Sequence, residues 1–139
     1  MESLILSLML WLKITTTFKI PDAPPTFVIV SIDEISKIAA VKKTSKSDPI
    51  ISSPLALCTN EKLYFSNELD ISILMHRSIV LHELVHYMQN KCHPDSDYEF
   101  FEMQAYAVQS HWLKQNGLNV NFVGQGIDTD GIIPFKSKK

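Results

Sequence analysis

The chain has almost no surplus charge, only two cysteines and no apolar run long enough to cross a bilayer. Each shortage removes a class of function. A formal net charge of −2 on 139 residues provides no bulk positive field for holding nucleic acid, and membrane association is not expected either. Cys58 and Cys92 cannot build a disulfide framework and lack C-x-x-C spacing. They either pair once or stay as thiols, and the reduced state is the expectation. No repeat and no low-complexity stretch occurs. Gly124-x-Gly126 lacks the further glycine and the strand–helix context of a phosphate loop, and Asp128-x-Asp130-Gly131 lacks the closing Glu of a calcium loop. Both read as turns.

The apolar start is also short of what a targeting segment needs. It begins with Glu2 rather than a basic residue, no small-x-small cleavage site follows, and its length cannot span a membrane. Leu4, Ile5, Leu8, Met9 and Leu12 instead share one stripe at the 3.6-residue period. The stretch is therefore expected to be the first helix of the folded domain, which implies a cytoplasmic location. Read as a signal, it would imply a secreted or membrane-tethered protein.

Residues 1–139 are read as a single domain with enough apolar content for its own core. After the Pro21-Asp22-Ala23-Pro24-Pro25 linker, residues 27–30 are β-branched and aromatic and predict a strand. Ser31-x-x-Glu34 is a capping box opening a helix over 32–40. Residues 42–54 are polar and predict a surface loop. Residues 55–58 and 62–66 predict a hairpin turning at Thr59-Asn60-Glu61, which with 27–30 makes a sheet of about three strands. Asp70 or Ser72 can cap a long helix running to about Lys91 and stopped by His93-Pro94-Asp95. Ser96-x-x-Glu99 is a second capping box, starting a helix over 97–116 that ends at Gly117 in a left-handed cap. Residues 119–123 form a candidate short strand, and 128–139 a tail. The fold class is α+β: an N-terminal helix, a small sheet, and two successive helices packed on it.

The long helix carries the chemistry. His82-Glu83-Leu84-Val85-His86 is an H-E-x-x-H pattern. Residues four apart lie on one helical face about 6 Å apart along the axis, so both imidazoles can grip one zinc ion from the same side. Glu83 then stands beside the ion, where a base must be to take a proton from a zinc-activated water. The pattern alone also fits two core or surface histidines on an amphipathic helix, so a third ligand decides. Two helices joined by a short loop run antiparallel. Counting from Pro94, His86 lies eight residues before and Glu102 eight after, which brings them to one level. Glu102 therefore completes a His, His, Glu set. Glu99 sits nearer the loop and is explained by its capping box. Ala105 at i+3 lets the helices approach closely, and Tyr106 or Gln109 can accept the proton of a ligand histidine's other nitrogen. His76, His93 and His111 are read as surface or core residues, and Cys92-His93 does not make a thiol nucleophile pair.

At these residues the chain resembles the gluzincin metallopeptidases, whose ligands are two histidines and a downstream glutamate, and the minigluzincins in particular. It is also similar to an uncharacterised bacterial domain family with an H-E-x-V-H-x-x-Q helix, here His82 to Gln89, and a later E-x-x-A-Y-x-x-Q-x-x-W-L, here Glu102 to Leu113. The likeness implies a zinc peptidase with His82, His86 and Glu102 on the metal, Glu83 as general base and a peptide or protein substrate. It also implies a sheet edge, residues 62–66 or 55–58, that holds substrate as an added strand. Tyr106 is the candidate for steadying the oxyanion. The rival reading is a non-catalytic module of the same fold, in which zinc is a staple and the function is binding or regulation. Nothing in the sequence bears on oligomeric state.

Overall fold

The N-terminal stripe becomes a helix because burying it in one direction satisfies every large apolar side chain on that face. In the computed structural model, α1 spans Glu2–Thr15, and Ile5, Leu8, Met9 and Leu12 are at most 5% exposed. The structure describes residues 1–42, 55–59, 62–90, 92 and 98–120. Thr16 ends α1 in an extended conformation, with both its backbone N–H and its hydroxyl donating to the Leu12 carbonyl.

The elements that follow are β1 (Thr26–Val30), α2 (Ile32–Lys42), β2 (Ala56–Cys58), β3 (Lys62–Ser66), α3 (Leu74–Gln89) and α4 (Tyr98–Gln115). The arrangement is α+β, as the sequence predicts. At the start of α2 the Glu34 N–H donates to Ser31 Oγ at 3.1 Å, the forward half of the predicted capping box. Lys42, expected in the loop, is the last residue of α2. The remainder of that loop, the hairpin turn at 60–61, His93-Pro94-Asp95, Ser96, the turns at 124–131 and the 128–139 tail lie outside the described residues. Of the candidate strand at 119–123, Asn119 and Val120 have no regular structure and the rest is likewise outside.

The sheet order is β1-β3-β2, with β1 parallel and β2 antiparallel to β3. The hairpin is present, with Leu57 opposite Tyr64 and the Thr59 N–H donating to the Lys62 carbonyl at 2.9 Å. The order corrects one expectation. β3 is the central strand, with ladder bonds on both sides, so residues 62–66 offer no open edge to a substrate; among the described residues β2 does lie at an edge. Alternation sends Ala56, Cys58, Leu63 and Phe65 into the main core with α1, α3 and α4. Leu57 faces the opposite way, where α2 packs on β2 and β3 with Ile35 fully buried. The sheet is thus covered on both faces.

α3 is the hub of the core, with Val80, Leu81, Leu84 and Val85 wholly buried. Its ends differ from the sequence reading. Neither Asp70 nor Ser72 caps it. The N-cap is Ile73, and Asp70 Oδ1 instead accepts from the Ser72 backbone and hydroxyl in a local turn before the helix. At the other end Asn90 adopts φ 59° and ψ 40°, the left-handed conformation that asparagine tolerates better than most residues, and ends the helix there. α4 ends as expected. Gly117 has φ 89°, its N–H donates to Lys114 and the Leu118 N–H reaches back to Leu113, a Schellman closure.

The two cysteines are not free thiols. Cys58 and Cys92 form a disulfide, Cα atoms 5.2 Å apart, because the end of β2 lies beside the corner that follows α3. A bridge across 34 residues of sequence removes enough unfolded-state freedom to contribute about 3–4 kcal/mol. Dithiothreitol, or the double change Cys58→Ser/Cys92→Ser, is therefore expected to lower the free energy of unfolding by that amount and shift the denaturant midpoint down accordingly, with an unchanged midpoint as the contrary result.

Candidate metal centre

One helical turn separates His82 from His86, and both rings leave α3 on the face that meets α4. Their side chains are 11% and 5% exposed, and that of Glu102, from α4, is 22% exposed. His82 Nε2 and His86 Nε2 stand 3.2 Å apart, His86 Nε2 is 3.3 Å from Glu102 Oε1, and His82 Nε2 is 2.5 Å from the same oxygen. A tetrahedral ion with ligands at 2.0–2.1 Å sets neighbouring ligand atoms about 3.3 Å apart. Two sides of the triangle match that spacing. The third is closed to a hydrogen bond and needs to open by less than an ångström. His82, His86 and Glu102 together can hold a metal ion.

The count from the interhelical loop is realised because the two helices pack side by side with Ala105 wholly buried between the layers. Glu99 is exposed at the start of α4 and takes no part. Burial opposes ionisation of Glu102, but hydrogen bonds from His82 and His86, reinforced by their charge, outweigh it. The carboxyl is held far below the usual carboxylate range and is an anion throughout the physiological range. Tyr106 is shifted the other way, first by burial and then by the negative charges of Glu102 and Glu83. Its phenol stays protonated and able to donate. Its ring lies against His82, with centroids 4.6 Å apart. Glu83 is partly buried on the same helix, close enough to act on Tyr106 electrostatically.

A family model described as a domain of unknown function (DUF6647) matches residues 1–127. The chain belongs to this family. No curated protein and no solved structure matches it. All three ligand candidates, Glu83 and Tyr106 fall inside the matched DUF6647 segment.

Of the two residues expected to accept a proton from a ligand histidine, Gln109 does so. Its Oε1 is 3.0 Å from His82 Nδ1. The sequence reading assigns no role to Gln89, whose Oε1 is 3.0 Å from His86 Nδ1. The signal was available, since Gln89 lies at i+3 from His86, one turn along the same face. What could not be read was the pair of groups from α4, the Phe101 carbonyl and Gln104 Oε1, that hold its amide in place. Of the other histidines, His76 and His111 behave as expected, and His93 lies outside the described residues. His76 Nδ1 accepts from the Asp70 backbone, and His111 rests against Trp11 and Gln115.

Proposed function

We propose that this protein is a zinc-dependent metallopeptidase of gluzincin type. The observation that carries this reading is the convergence of two histidine nitrogens and one glutamate oxygen, from two helices, beside Glu83. Zinc rather than a harder cation fits a donor set of two imidazoles and one carboxylate. Bound there, it supplies a Lewis acid and a water acidified towards a pKa of about 7.

The chain's own residues perform the rest. Glu83 takes the proton from the attacking water and returns it to the leaving amine. Tyr106, kept protonated by its surroundings, donates to the carbonyl oxygen as negative charge develops on it. β2, at the sheet edge and packed on α3, is the candidate strand for pairing with an extended peptide. Tyr106→Phe is expected to lower kcat about 100-fold, the lower end for loss of one oxyanion donor, with zinc affinity unchanged. Equal turnover in the variant removes Tyr106 from the reaction.

The Cys58–Cys92 bridge supports action in an oxidising compartment, not the cytoplasm the sequence alone implies. Among the described residues no helix is long and apolar enough to cross a membrane. The deciding experiment measures zinc content of the purified protein and its cleavage of a denatured protein substrate, with and without chelator. Chelator-sensitive cleavage with one zinc per chain is the expected result. Bound zinc without cleavage turns the assignment to a binding module stapled by the metal, and no zinc at all removes both.

A further inference from the structure

Both histidines of the centre rest on glutamine amides, and both amides are oriented by hydrogen-bond chains that end on backbone carbonyls. A backbone carbonyl can only accept, so each chain has a fixed direction.

The first chain starts at Met75. Its carbonyl accepts the Ser78 hydroxyl at 2.6 Å, which commits that hydrogen. Ser78 Oγ then receives the Gln109 amide N–H at 2.9 Å. The amide oxygen of Gln109 is thereby turned to His82, so His82 Nδ1 must be the N–H of that contact. The second chain starts at Phe101. Its carbonyl accepts from Gln89 Nε2 at 3.1 Å, and Gln104 Oε1 accepts from the same nitrogen at 2.7 Å. Gln89 Oε1 is left facing His86 Nδ1, which must again carry hydrogen. Ser78, Gln109 and Gln104 are each less than 9% exposed, so solvent is poorly placed to substitute for any of them.

We propose that Gln109 and Gln89 are positioning residues that hold both imidazoles as Nδ1–H tautomers with Nε2 aimed at the metal point. The partners are neutral amides, whereas a carboxylate in that place adds negative charge to the imidazole and raises its basicity. The structure therefore assigns them orientation without added charge. One chain is anchored in the first turn of α3 and the other on α4, so the ligand geometry is tied to how these helices pack. This inference rests on the metal reading of the site and extends it to residues that do not touch the ion.

The test compares zinc affinity, by competition with a chromogenic chelator, for wild type, Gln109→Leu, Gln89→Leu and the acceptor-restoring Gln109→Glu. Spectra of the zinc-loaded wild type labelled with 15N-histidine report the tautomers directly. The leucine variants are expected to bind zinc about 10–100-fold more weakly, and Gln109→Glu, whose second oxygen can accept from a turned Ser78 hydroxyl, to recover wild-type affinity or exceed it. Both zinc-bound histidines are expected to show a protonated Nδ1. Zinc uptake with unchanged affinity in the leucine variants, or wild-type rings protonated at Nε2, overturns the positioning role while leaving the metal centre standing. Failure of wild type to take up zinc overturns the metal centre, and this role with it. The wild-type spectra decide the tautomer even where a leucine variant fails to fold.

Discussion

Replacing Glu83 with glutamine is expected to leave zinc bound and to reduce peptide hydrolysis by about 10²–10⁴-fold, the usual weight of a positioned general base. The residue is one step along α3 from His82, rotated about 100° around the helix axis, so its carboxylate stands beside the ligand set and outside it. Glutamine keeps the size and the partial burial but cannot take up a proton at neutral pH. Metal content by emission spectroscopy and kcat/KM on a peptide substrate separate the two properties. A variant that hydrolyses at the wild-type rate removes Glu83 from the chemistry, and one that loses zinc shows that the carboxylate belongs to the ligand set.

Glu102→Ala is expected to act on the other property. Removing the partners of metal ligands typically costs 10–100-fold in affinity, so removing a direct ligand is expected to cost more than about 100-fold, and activity with it. Glu102 also carries the negative charge that offsets part of the cation's, and no neutral side chain replaces that. The fold has no comparable stake in this side chain, whose charged partners are the two ligand histidines and which keeps 22% of its surface exposed. Circular dichroism should therefore match wild type while equilibrium dialysis finds little zinc. Full zinc occupancy in the variant would show that the metal is held elsewhere.

The centre was readable from sequence where helix geometry converts residue number into position. His82 and His86 share a face by their spacing, and Glu102 reaches their level because equal counts from a short loop give equal heights on antiparallel helices. The N-terminal stripe, the Ser31 cap and the Gly117 stop were readable for the same reason, each being settled within a few residues of chain. Asn90 was a local signal too, but Pro94, five residues beyond Gln89, drew the predicted stop away from it.

What escaped was whatever required distant segments to meet. The hairpin of β2 and β3 gave no sign that β1 pairs on the far side of β3, because a parallel partner reaches it only through the α2 crossover. Cys58 and Cys92, read as thiols, are joined because folding places the end of β2 against the corner past α3. The sequence by itself determined the helices, the three strands of the sheet and which side chains could hold a metal ion, since those follow from short-range periodicity and residue type. Tertiary structure alone decided the sheet order, the disulfide and the glutamine supports behind each histidine, since those depend on which surfaces bury one another and no local spacing encodes that.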